Sequence, residues 1–467
     1  MLLGAKLAVA RGAGGLARLR GGGATSLPGR VLMALEPRAI GTLGARLSRG
    51  SAVISATNGK TTTAAMAAGM LAGAGIPLVH NRAGANMAGG VATTLLEATH
   101  GSRMDGELGL FEVDELWLAS VVAELSPRAI VLGNLFRDQL DRFGELEAIA
   151  DSWHELLSAS PARAILNADD PLLADLGRER DPSAVLYFGV DDDTLALPGL
   201  GHAADAKHCR RCGSPYVFDA VYLGHLGHYH CPACGAKRPA PHVVAGDVTL
   251  NGVRSAEFTL TTPSASARVS LALPGLYNVY NALAAAALGC AMELPFETIV
   301  AGLEATRPAF GRAETLRVAA PSSNGTREPA DRELAILLVK NPAGANEVLR
   351  TLALEPGRHD FLGVLNDRIA DGRDVSWIWD ADFELLADRV ATATCSGTRA
   401  ADLAARLKYA GVEPERISIE PDLPRALDAA LAAGEHTHPL YALPTYTAML
   451  SLRELLVARG AAASHWS

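Results

Sequence analysis

The sequence predicts an α/β protein built on a parallel sheet, with a cysteine-rich insert and a second, smaller α/β unit at the carboxyl-terminal end. Apolar, strand-like runs alternate with helical stretches rich in Ala and Leu, which is typical of parallel sheets layered with helices. A glycine-containing turn follows an early strand, and four of the six cysteines fall in one short segment. A chain of 467 residues is long enough for about three domains.

The composition favours an intracellular enzyme. The 42 basic and 51 acidic residues give no general attraction for nucleic acid. No uninterrupted apolar stretch is long enough to span a bilayer. Although the N-terminal segment is superficially similar to a targeting sequence, Lys6 and Arg11 interrupt its apolar part, so we expect an amphipathic helix of the mature protein. Together these features predict a cytoplasmic protein.

The segment ISATNGKTTTAAM, residues 54–66, has the pattern of a phosphate-binding turn. Its apolar start predicts a strand over 52–54, and the residues after the turn predict a helix over 61–71. Between them, Gly59 allows the backbone to pass close to a ligand. Because a helix start directs unpaired N–H groups and the positive end of the helix dipole at one point, we expect a phosphate there.

Two side chains of this turn have a predicted chemical role. Lys60 would neutralise the outer phosphates of a nucleotide, and the Thr61 hydroxyl would hold magnesium. The general pattern begins with a glycine at the position of Ile54, so the match is imperfect. The alternative is an Ala-rich core helix with a chance Gly-Lys-Thr. The predicted nucleotide-binding residues of the turn are Thr57, Asn58, Gly59, Lys60, Thr61 and Thr62.

Acidic residues end the next strand-like run, LGLFEVDE over 108–115. Ligands of parallel α/β sheets bind at the carboxyl ends of the strands, so these carboxylates would lie at the same edge as the phosphate turn. Glu112 is therefore a candidate magnesium ligand and catalytic residue. We interpret Asp114 and Glu115 as solvated residues at the end of the strand.

Four cysteines form two C-x2-C pairs that are separated by 18 residues. This spacing is typical of two knuckles that grip one tetrahedral zinc ion. Since four thiolates close the coordination shell, we expect a structural metal rather than a catalytic one. Nearby histidines are alternative ligands, which we expect to be solvated or to support the cysteines. The predicted zinc ligands are Cys209, Cys212, Cys231 and Cys234, and the alternatives are His208, His225, His228 and His230.

A polar segment rich in breaking residues, 318–333, predicts a linker. It would separate an N-terminal segment and central nucleotide-binding domain, residues 1–317, from a Rossmann-like domain over 334–467. The zinc ribbon would be an insert at about 205–240 in the central domain. We expect this insert to be a separate satellite of the central sheet that only stabilises folding.

Several motifs together resemble one enzyme family. The segments ATNGKTTT, FEVDE, NLFRDQLDRFG, LNADDP, GLYNVYNALAA and FGRAE occur in the order and approximate spacing of Mur ligases and folylpolyglutamate synthases. Those enzymes phosphorylate a carboxylate with ATP and let an amine attack it. The zinc ribbon and the segments NDRIADGRDVSWIWDADFE, CSGTRAADLAARLKYAG and LPTYTAML are similar to the branch of this family that amidates lipid II. The resemblance covers nearly the whole chain from about residue 25 onward.

The resemblance implies a Mur-ligase-like central P-loop ATPase domain and an ATP-dependent amidation. The substrate would be the α-carboxylate of D-isoglutamate in the lipid II stem peptide, activated as an acyl phosphate. The product would be D-isoglutamine in the peptidoglycan precursor. The implied ATP-contacting residues beyond the turn are Asn167, Asn278, Asn281 and Arg312. As alternatives, the asparagines of YNVYN would cap or start a helix, and Asn167 with Asp169 would make a turn.

The chain departs from the wider family in its metal-binding pattern. Many Mur ligases have a carbamylated lysine that helps to hold a second magnesium, but no lysine occurs between Asn134 and Asn167. Gln139 and Tyr277 stand where those ligases usually have histidine. We therefore predict one magnesium ion, held by Thr61 and Glu112.

The attacking ammonia needs a source outside this chain. Cys290 lies in an Ala-rich helical pattern and Cys395 precedes a Ser-Gly turn, so neither has the surroundings of an activated nucleophile. We expect buried, unreactive thiols. Because ammonium is mostly protonated at neutral pH, amidating enzymes usually release ammonia from glutamine with an activated cysteine. The sequence thus predicts a separate glutaminase, and the resemblance implies a GatD-like subunit in a heterodimer.

The resemblance also implies a catalytic aspartate near the carboxyl terminus. Asp371, in the ADG motif, would approach the Cys–His pair of the glutaminase and complete its triad. Asp367 and Asp374 flank it and are alternatives, and a polar loop without a catalytic role is a third interpretation. Contact with the membrane would be peripheral, through lipid II.

Two other functions compete with the amidating ligase subunit. One is a stand-alone Mur or folylpolyglutamate-type ligase that adds an amino acid, which the C-terminal motifs do not favour. The other is a nucleotide-regulated zinc-ribbon binding module, which leaves FEVDE, NADD and YNVYN unexplained.

Overall fold

The computed structural model describes residues 3–19, 26–81, 84–138, 146–308, 312–319, 331–434 and 438–462. Within these ranges fourteen α-helices alternate with strands over much of the chain, as the sequence predicts. They are α1 (Leu3–Leu19), α2 (Leu27–Leu35), α3 (Ala39–Gly44), α4 (Lys60–Gly73), α5 (Ala88–Glu97), α6 (Leu118–Leu125), α7 (Leu146–Ala159), α8 (Pro171–Leu176), α9 (Leu276–Ala291), α10 (Phe296–Ala305), α11 (Pro342–Ala353), α12 (Ala400–Tyr409), α13 (Leu423–Ala432) and α14 (Tyr446–Ala458).

The strands form two large sheets and two small ones. They are β1 (Ser51–Ser55), β2 (Leu78–His80), β3 (Thr99–His100), β4 (Arg103–Met104), β5 (Leu108–Glu112), β6 (Ala129–Leu132), β7 (Arg163–Asn167), β8 (Val185–Val190), β9 (Val217–Leu223), β10 (Leu226–His230), β11 (Val243–Asn251), β12 (Ser255–Thr261), β13 (Ser266–Leu271), β14 (Arg312–Ala319), β15 (Asp331–Leu337), β16 (His359–Val364), β17 (Val390–Ser396), β18 (Ile417–Ile419) and β19 (Leu440–Pro444).

The first sheet has nine strands in the order β13-β12-β11-β8-β7-β6-β1-β5-β2. From β11 to β2 each neighbouring pair is parallel, and β12 and β13 extend the sheet with antiparallel pairing. Near its centre, Ile54 of β1 lies opposite Glu112 of β5 and Val131 of β6. All five residues of β1 are buried, because helices cover both faces of the sheet.

Two hydrophobic clusters form the core on the two faces of this sheet. Ile54 belongs to the cluster that packs under α4 and α9, whereas its neighbour Val53 belongs to the other. Leu7 and Ala10 of α1 are buried in this second cluster, so the N-terminal segment is a helix packed on the core. None of the helices in the described ranges is both long enough and apolar enough to cross a membrane.

The second sheet has six strands in the order β14-β15-β19-β16-β17-β18. β14 is antiparallel to β15 and the other pairs are parallel. The predicted linker over 318–333 overlaps this sheet at both ends, since β14 ends at Ala319 and β15 begins at Asp331, while 320–330 lie outside the described residues. The second sheet therefore begins before the predicted boundary. Residues 312–317 were assigned to the central domain because the pairing of β14 with β15 joins segments on either side of the polar stretch, and no local pattern shows that pairing.

The cysteine-rich insert lies between β8 and β11 and contains the hairpin β9-β10. His225, in the hairpin turn, is fully buried, and its ring centroid lies 4.6 Å from that of Phe136. The Gly227 N–H donates a hydrogen bond of 3.0 Å to the carbonyl oxygen of Asp169. The expectation of a separate satellite was therefore wrong, because the hairpin packs directly on the loops that follow β6 and β7.

Candidate functional site

The turn after β1 has the geometry of a phosphate-binding turn. Gly59 has φ +86° and directly precedes α4, and no side chain caps the first turn of that helix. A Cβ atom on Gly59 would lie 2.0 Å from Asn281 Oδ1, so only glycine fits between α4 and α9. β1 is one residue longer at each end than the strand predicted over 52–54. α4 begins one residue before and ends two residues after the helix predicted over 61–71. The turn thus offers uncapped N–H groups at a helix N-terminus.

Lys60 is buried at this turn and bonded to an acidic residue. Its Nζ donates to Glu115 Oε2 at 2.9 Å and also to the carbonyl oxygens of Ala56 and Thr57. Burial acts to lower the pKa of Lys60, but the carboxylates of Glu115, Glu112 and Asp114 together outweigh it and the pKa is raised. Lys60 therefore stays protonated at neutral pH and provides a fixed positive charge beside the turn.

The carboxylates at the end of β5 have different positions from those predicted. Glu115 is 5 % exposed and pairs with Lys60, so its interpretation as a solvated residue was wrong. The segment after β5 places this carboxylate within hydrogen-bond distance of Lys60 at the start of α4. Asp114 is half-buried.

Glu112 is buried with a carboxylate that is weakly engaged. Its Oε1 accepts one hydrogen bond, of 3.4 Å, from Asn86 Nδ2, while its backbone N–H and C=O are both bonded to the Asn81 side chain at 2.8 Å. This clamp fixes the end of β5, and within the described part of the chain the long hydrogen bond from Asn86 is the one given for the carboxylate. Together with the half-buried Thr61 hydroxyl, the carboxylate oxygens are the hard oxygen donors that magnesium prefers. The residues present therefore fit the predicted ion.

Asn134, after β6, holds the phosphate turn from the side. Its side chain accepts from the Asn58 N–H and donates to the Asn58 carbonyl, both at 2.9 Å. The Thr57 hydroxyl accepts from the Phe136 N–H at 3.0 Å. The adjacent order β6-β1-β5 is what brings these loops to one sheet edge.

The remaining predicted nucleotide-contacting residues lie around this edge. Asn167 is fully buried at the end of β7, and its Nδ2 donates to Gly133 O at 3.0 Å. Asn281 accepts from Thr63 Oγ1 at 3.3 Å and donates to Asn278 Oδ1 at 3.1 Å. Both asparagines lie within α9, whose N-cap is Gly275, so neither is the cap residue. The side chain of Arg312 and all of Gln139 lie outside the described residues.

Two residues of the segment between β15 and α11 reach the turn, which the sequence did not indicate. Lys340 Nζ donates to Thr57 O at 3.1 Å and to Asp138 Oδ2 at 2.7 Å. Asn341 Nδ2 donates to Asn58 Oδ1 at 3.0 Å, and its own Oδ1 caps α11 through the Gly344 N–H. The Asn-Pro pair signals a helix start, but no local pattern shows that this start meets a turn nearly 300 residues earlier.

The four predicted zinc ligands come together. Their Sγ atoms all lie within 4.8 Å of one another, with 3.6 Å between Cys209 and Cys234 and 3.4 Å between Cys212 and Cys231. Tetrahedral zinc with bonds of about 2.3 Å requires sulfur separations of roughly 3.8 Å, so the cluster could hold zinc. The Ser214 N–H and hydroxyl lower the pKa of Cys212 to about 6, which favours a thiolate. Among the described residues, no histidine joins this cluster.

Asp371 is buried and fixed by a neighbouring threonine. It is 4 % exposed, and its two carboxylate oxygens accept from the Thr447 N–H, at 2.7 Å, and from the Thr447 hydroxyl. Asp367 pairs with Arg399 at 2.8 Å, whereas Asp374 is exposed and accepts from the Ser376 N–H. Asp371 is thus the one of the three that is both buried and doubly oriented.

The two cysteines outside the cluster are poorly placed for catalysis. Cys395 is fully buried, and burial raises its pKa to about 12. Burial also raises the pKa of Cys290, which is half-buried. Both thiols are therefore protonated at neutral pH, as expected for unreactive groups.

Known proteins resemble the chain along almost its whole length. Residues 54–210 match the Mur ligase middle domain and residues 338–449 match the MurT ligase C-terminal domain. A subunit MurT of lipid II isoglutaminyl synthase (glutamine-hydrolyzing) from Streptococcus pneumoniae (strain ATCC BAA-255 / R6) is 32 % identical over 441 residues, which are 94 % of this chain and 93 % of that protein. A subunit of the same name from Staphylococcus aureus (strain N315) is 31 % identical, over 92 % of both chains.

The fold is also found among solved structures. A pseudomurein peptide ligase type C from Methanothermus fervidus superimposes with a TM-score of 0.67 at 22 % identity, over 89 % of this chain and 80 % of that one. Together with the match to the Mur ligase middle domain, this similarity confirms the predicted Mur-ligase-like α/β architecture.

Proposed function

Because the chain belongs to the MurT family of Mur-ligase-type proteins, we propose that it catalyses the ATP-dependent amidation of lipid II. The acceptor is the α-carboxylate of D-isoglutamate in the stem peptide, and the product is D-isoglutamine in the peptidoglycan precursor. The ammonia comes from a GatD-like glutaminase, with which the chain forms a heterodimer.

The observation that best supports this proposal is the convergence of charged and amide groups at one sheet edge. Lys60 lies after β1, and Glu112 ends the adjacent strand β5. Asn134, after β6, clamps the phosphate turn through Asn58. From the segment after β15, Lys340 is bonded to the same turn. A triphosphate needs such fixed positive charge and N–H donors, since its negative charge grows on the leaving group during transfer.

The reaction follows from the poor reactivity of a carboxylate, whose charge repels nucleophiles and whose oxide is a poor leaving group. One carboxylate oxygen attacks the γ-phosphorus of ATP, ADP leaves, and an acyl phosphate forms. Ammonia then attacks the carbonyl carbon, phosphate leaves with the electrons of the C–O bond, and the nitrogen loses one proton. The net result is a primary amide, ADP and phosphate.

The residues of the chain have separate roles in this scheme. Lys60 neutralises the outer phosphates when its amine turns from the Ala56 and Thr57 carbonyls towards the nucleotide, and Glu115 keeps it protonated. Thr61 and Glu112 would hold magnesium, which supplies charge neutralisation at the phosphates when bound. The four cysteines would hold a structural zinc ion.

Asp371 supports the partner's reaction rather than the ATP site. A glutaminase cysteine needs a histidine base, and that base is held in the correct tautomer by a carboxylate. We propose that Asp371 provides this carboxylate, with its orientation fixed by Thr447.

Reconstitution tests the proposal directly. The purified chain, a GatD-like glutaminase and lipid II are incubated with ATP and either glutamine or ammonium salt, and lipid II is analysed by mass spectrometry. We expect the amide with both nitrogen sources, and with ammonium at raised pH when the glutaminase is omitted. Addition of an amino acid would instead support a stand-alone ligase. ATP binding without any modified lipid II would support a nucleotide-regulated binding module.

A further inference from the structure

The cysteine-rich insert contacts the nucleotide edge through its hairpin turn. A Cβ atom on Gly224, which has φ +58°, would lie 2.6 Å from Cε1 of Phe136, so the turn packs tightly on the loop after β6. Beside it, the buried His225 lies with Nε2 3.5 Å from Asp170 Oδ1. At the start of the insert, Asp205 accepts from the Arg137 N–H at 2.9 Å. The insert and the loop after β6 are therefore one packed unit.

A buried ion pair forms a second connection. Arg238 follows Cys234 by four residues, and its Nε donates to Asp169 Oδ1 at 2.6 Å. The arginine side chain is 12 % exposed and the aspartate is fully buried. The other carboxylate oxygen, Oδ2, accepts from the Tyr280 hydroxyl at 2.7 Å and from the Val190 N–H at 2.8 Å. Asp169 thus joins the insert to α9, the helix that packs against the phosphate turn.

A series of hydrogen bonds continues from Asp170 to the nucleotide turn. Asp170 Oδ2 accepts from the Leu135 N–H at 2.9 Å. The next residue, Phe136, donates its N–H to Thr57 Oγ1, and the residue before, Asn134, clamps Asn58. A change in the position of the Asp169–Asp170 pair therefore acts on the backbone of the turn itself.

The position of Arg238 depends on the cysteine knuckle. Its backbone N–H donates to Tyr229 O at 3.0 Å, and the preceding residue pairs with His230, so the chain that returns from Cys231 and Cys234 holds it against β10. Such knuckles fold only when a metal neutralises and joins their thiolates. Without the metal, the segment that presents Arg238 loses its anchor.

We propose that zinc in the four-cysteine cluster and nucleotide at the turn bind cooperatively, with Arg238 as the positioning residue that couples the two sites. This inference rests on the proposed nucleotide site and adds a role for the metal beyond folding. Because coupling between two equilibria is reciprocal, nucleotide must raise zinc affinity by the same factor by which zinc raises nucleotide affinity.

The test measures zinc affinity of the full chain by competition with a chromophoric chelator, with and without saturating Mg·ATP. We expect ATP to tighten zinc binding on the order of tenfold, within the usual range of coupling between sites. ATP affinity, measured by calorimetry on zinc-loaded and zinc-stripped chain, should change by the same factor. This readout needs no lipid II and no partner.

Variants separate coupling from folding. In Arg238→Met, the ratio of the zinc affinity with Mg·ATP to the zinc affinity without it should fall to about one, while zinc is still bound. The matched control is Lys237→Met, the exposed neighbour on the same segment, which should keep the full ratio. Arg238→Met leaves the buried Asp169 carboxylate without its positively charged partner, which is itself destabilising. The double variant Arg238→Met with Asp169→Asn removes both charges, and it should also lack coupling.

The outcomes distinguish this inference from the proposed function. If the wild type binds ATP but its zinc affinity does not change, the inference is wrong and the nucleotide site stands. Full coupling in Arg238→Met would likewise overturn it. If the wild type binds no ATP at all, both the nucleotide site and the inference are wrong.

Discussion

Lys340 Nζ lies 2.7 Å from Asp138 Oδ2 and donates a second hydrogen bond, of 3.1 Å, to Thr57 O. One side chain from the segment after β15 therefore holds both the loop after β6 and the phosphate turn. The Lys340–Asp138 pair is largely buried, with exposed fractions of 27 % and 9 %. The contacts that join the two sheets therefore include the candidate nucleotide site, besides others such as the hydrogen bond from the Val253 N–H to Glu355 Oε1.

Lys340→Met should lower ATP-dependent amidation about 10- to 100-fold, because the turn loses a contact that positions it and small displacements at a reacting centre are costly. The loss should appear with ammonium as well as with glutamine. Lys408→Met, at an exposed lysine of α12, is the control and should match the wild type. Unchanged steady-state rates in Lys340→Met would show that the contact has no part in the reaction.

Lys60→Met should reduce amidation at least about 100-fold with either nitrogen source, since it removes the buried positive charge beside the turn. The measurement is amidated lipid II formed per enzyme under saturating ATP. Circular dichroism checks that the variant is folded, because Glu115 then lacks its partner. Wild-type turnover in a folded Lys60→Met chain would exclude this turn as the catalytic nucleotide site.

Glu112→Gln should raise the magnesium concentration needed for half-maximal activity about tenfold, because an amide oxygen is a weaker ligand for a hard cation than a carboxylate. The measurement is a magnesium titration of the amidation rate. Glu107→Gln, at the start of the same strand region and paired with Arg49 on the surface, is the control. Equal magnesium dependence in both variants would place the ion elsewhere.

Gly59→Ala should abolish ATP binding and destabilise the fold. Gly75→Ala is the matched control, since Gly75 also has positive φ, +72°, but its Cβ would meet no atom within 4 Å. Both variants should lose about 1–2 kcal/mol of unfolding free energy from the left-handed backbone. In Gly59→Ala the Cβ also displaces Asn281, so its loss in urea denaturation should be larger. Similar ATP affinities in Gly59→Ala and Gly75→Ala would show that ATP binding does not depend on the close approach of Gly59 to Asn281.

Asp371→Asn should abolish glutamine-dependent amidation, by about 10²- to 10⁴-fold, and leave ammonium-dependent amidation largely intact. The substitution keeps the size of the side chain and removes the charge that stabilises the partner's imidazolium. Asp374→Asn, at the exposed aspartate of the same loop, should behave as the wild type. Equal loss with both nitrogen sources would place Asp371 in the ligase site.

Thr447 gives a related test of the same carboxylate. Thr447→Val removes the hydroxyl donor but keeps the N–H donor, so glutamine-dependent amidation should fall about tenfold. No change in this variant would show that Thr447 does not orient Asp371.

Local patterns identified the groups that act near their own strand or turn. The strand-turn-helix at Gly59 and the convergence of the four cysteines were predicted from the sequence because each depends on spacing within a short segment, and spacing is visible in a sequence. Glu115 was misinterpreted because burial of a strand end depends on what packs over it. The domain boundary was placed too late in the chain, because the pairing of β14 with β15 is a tertiary contact that a local pattern does not show.

The sequence by itself determined the alternating α/β pattern, the turn that precedes α4 and the set of four thiols. Only the tertiary structure decided that Lys340 meets Thr57, that Arg238 meets Asp169, and that the insert packs on the loop after β6. These contacts join residues that are about 70 or more positions apart, and their partners are set by strand order and packing of whole elements. A one-dimensional pattern contains the propensity of each segment, but not the distance between two segments after the sheets have formed.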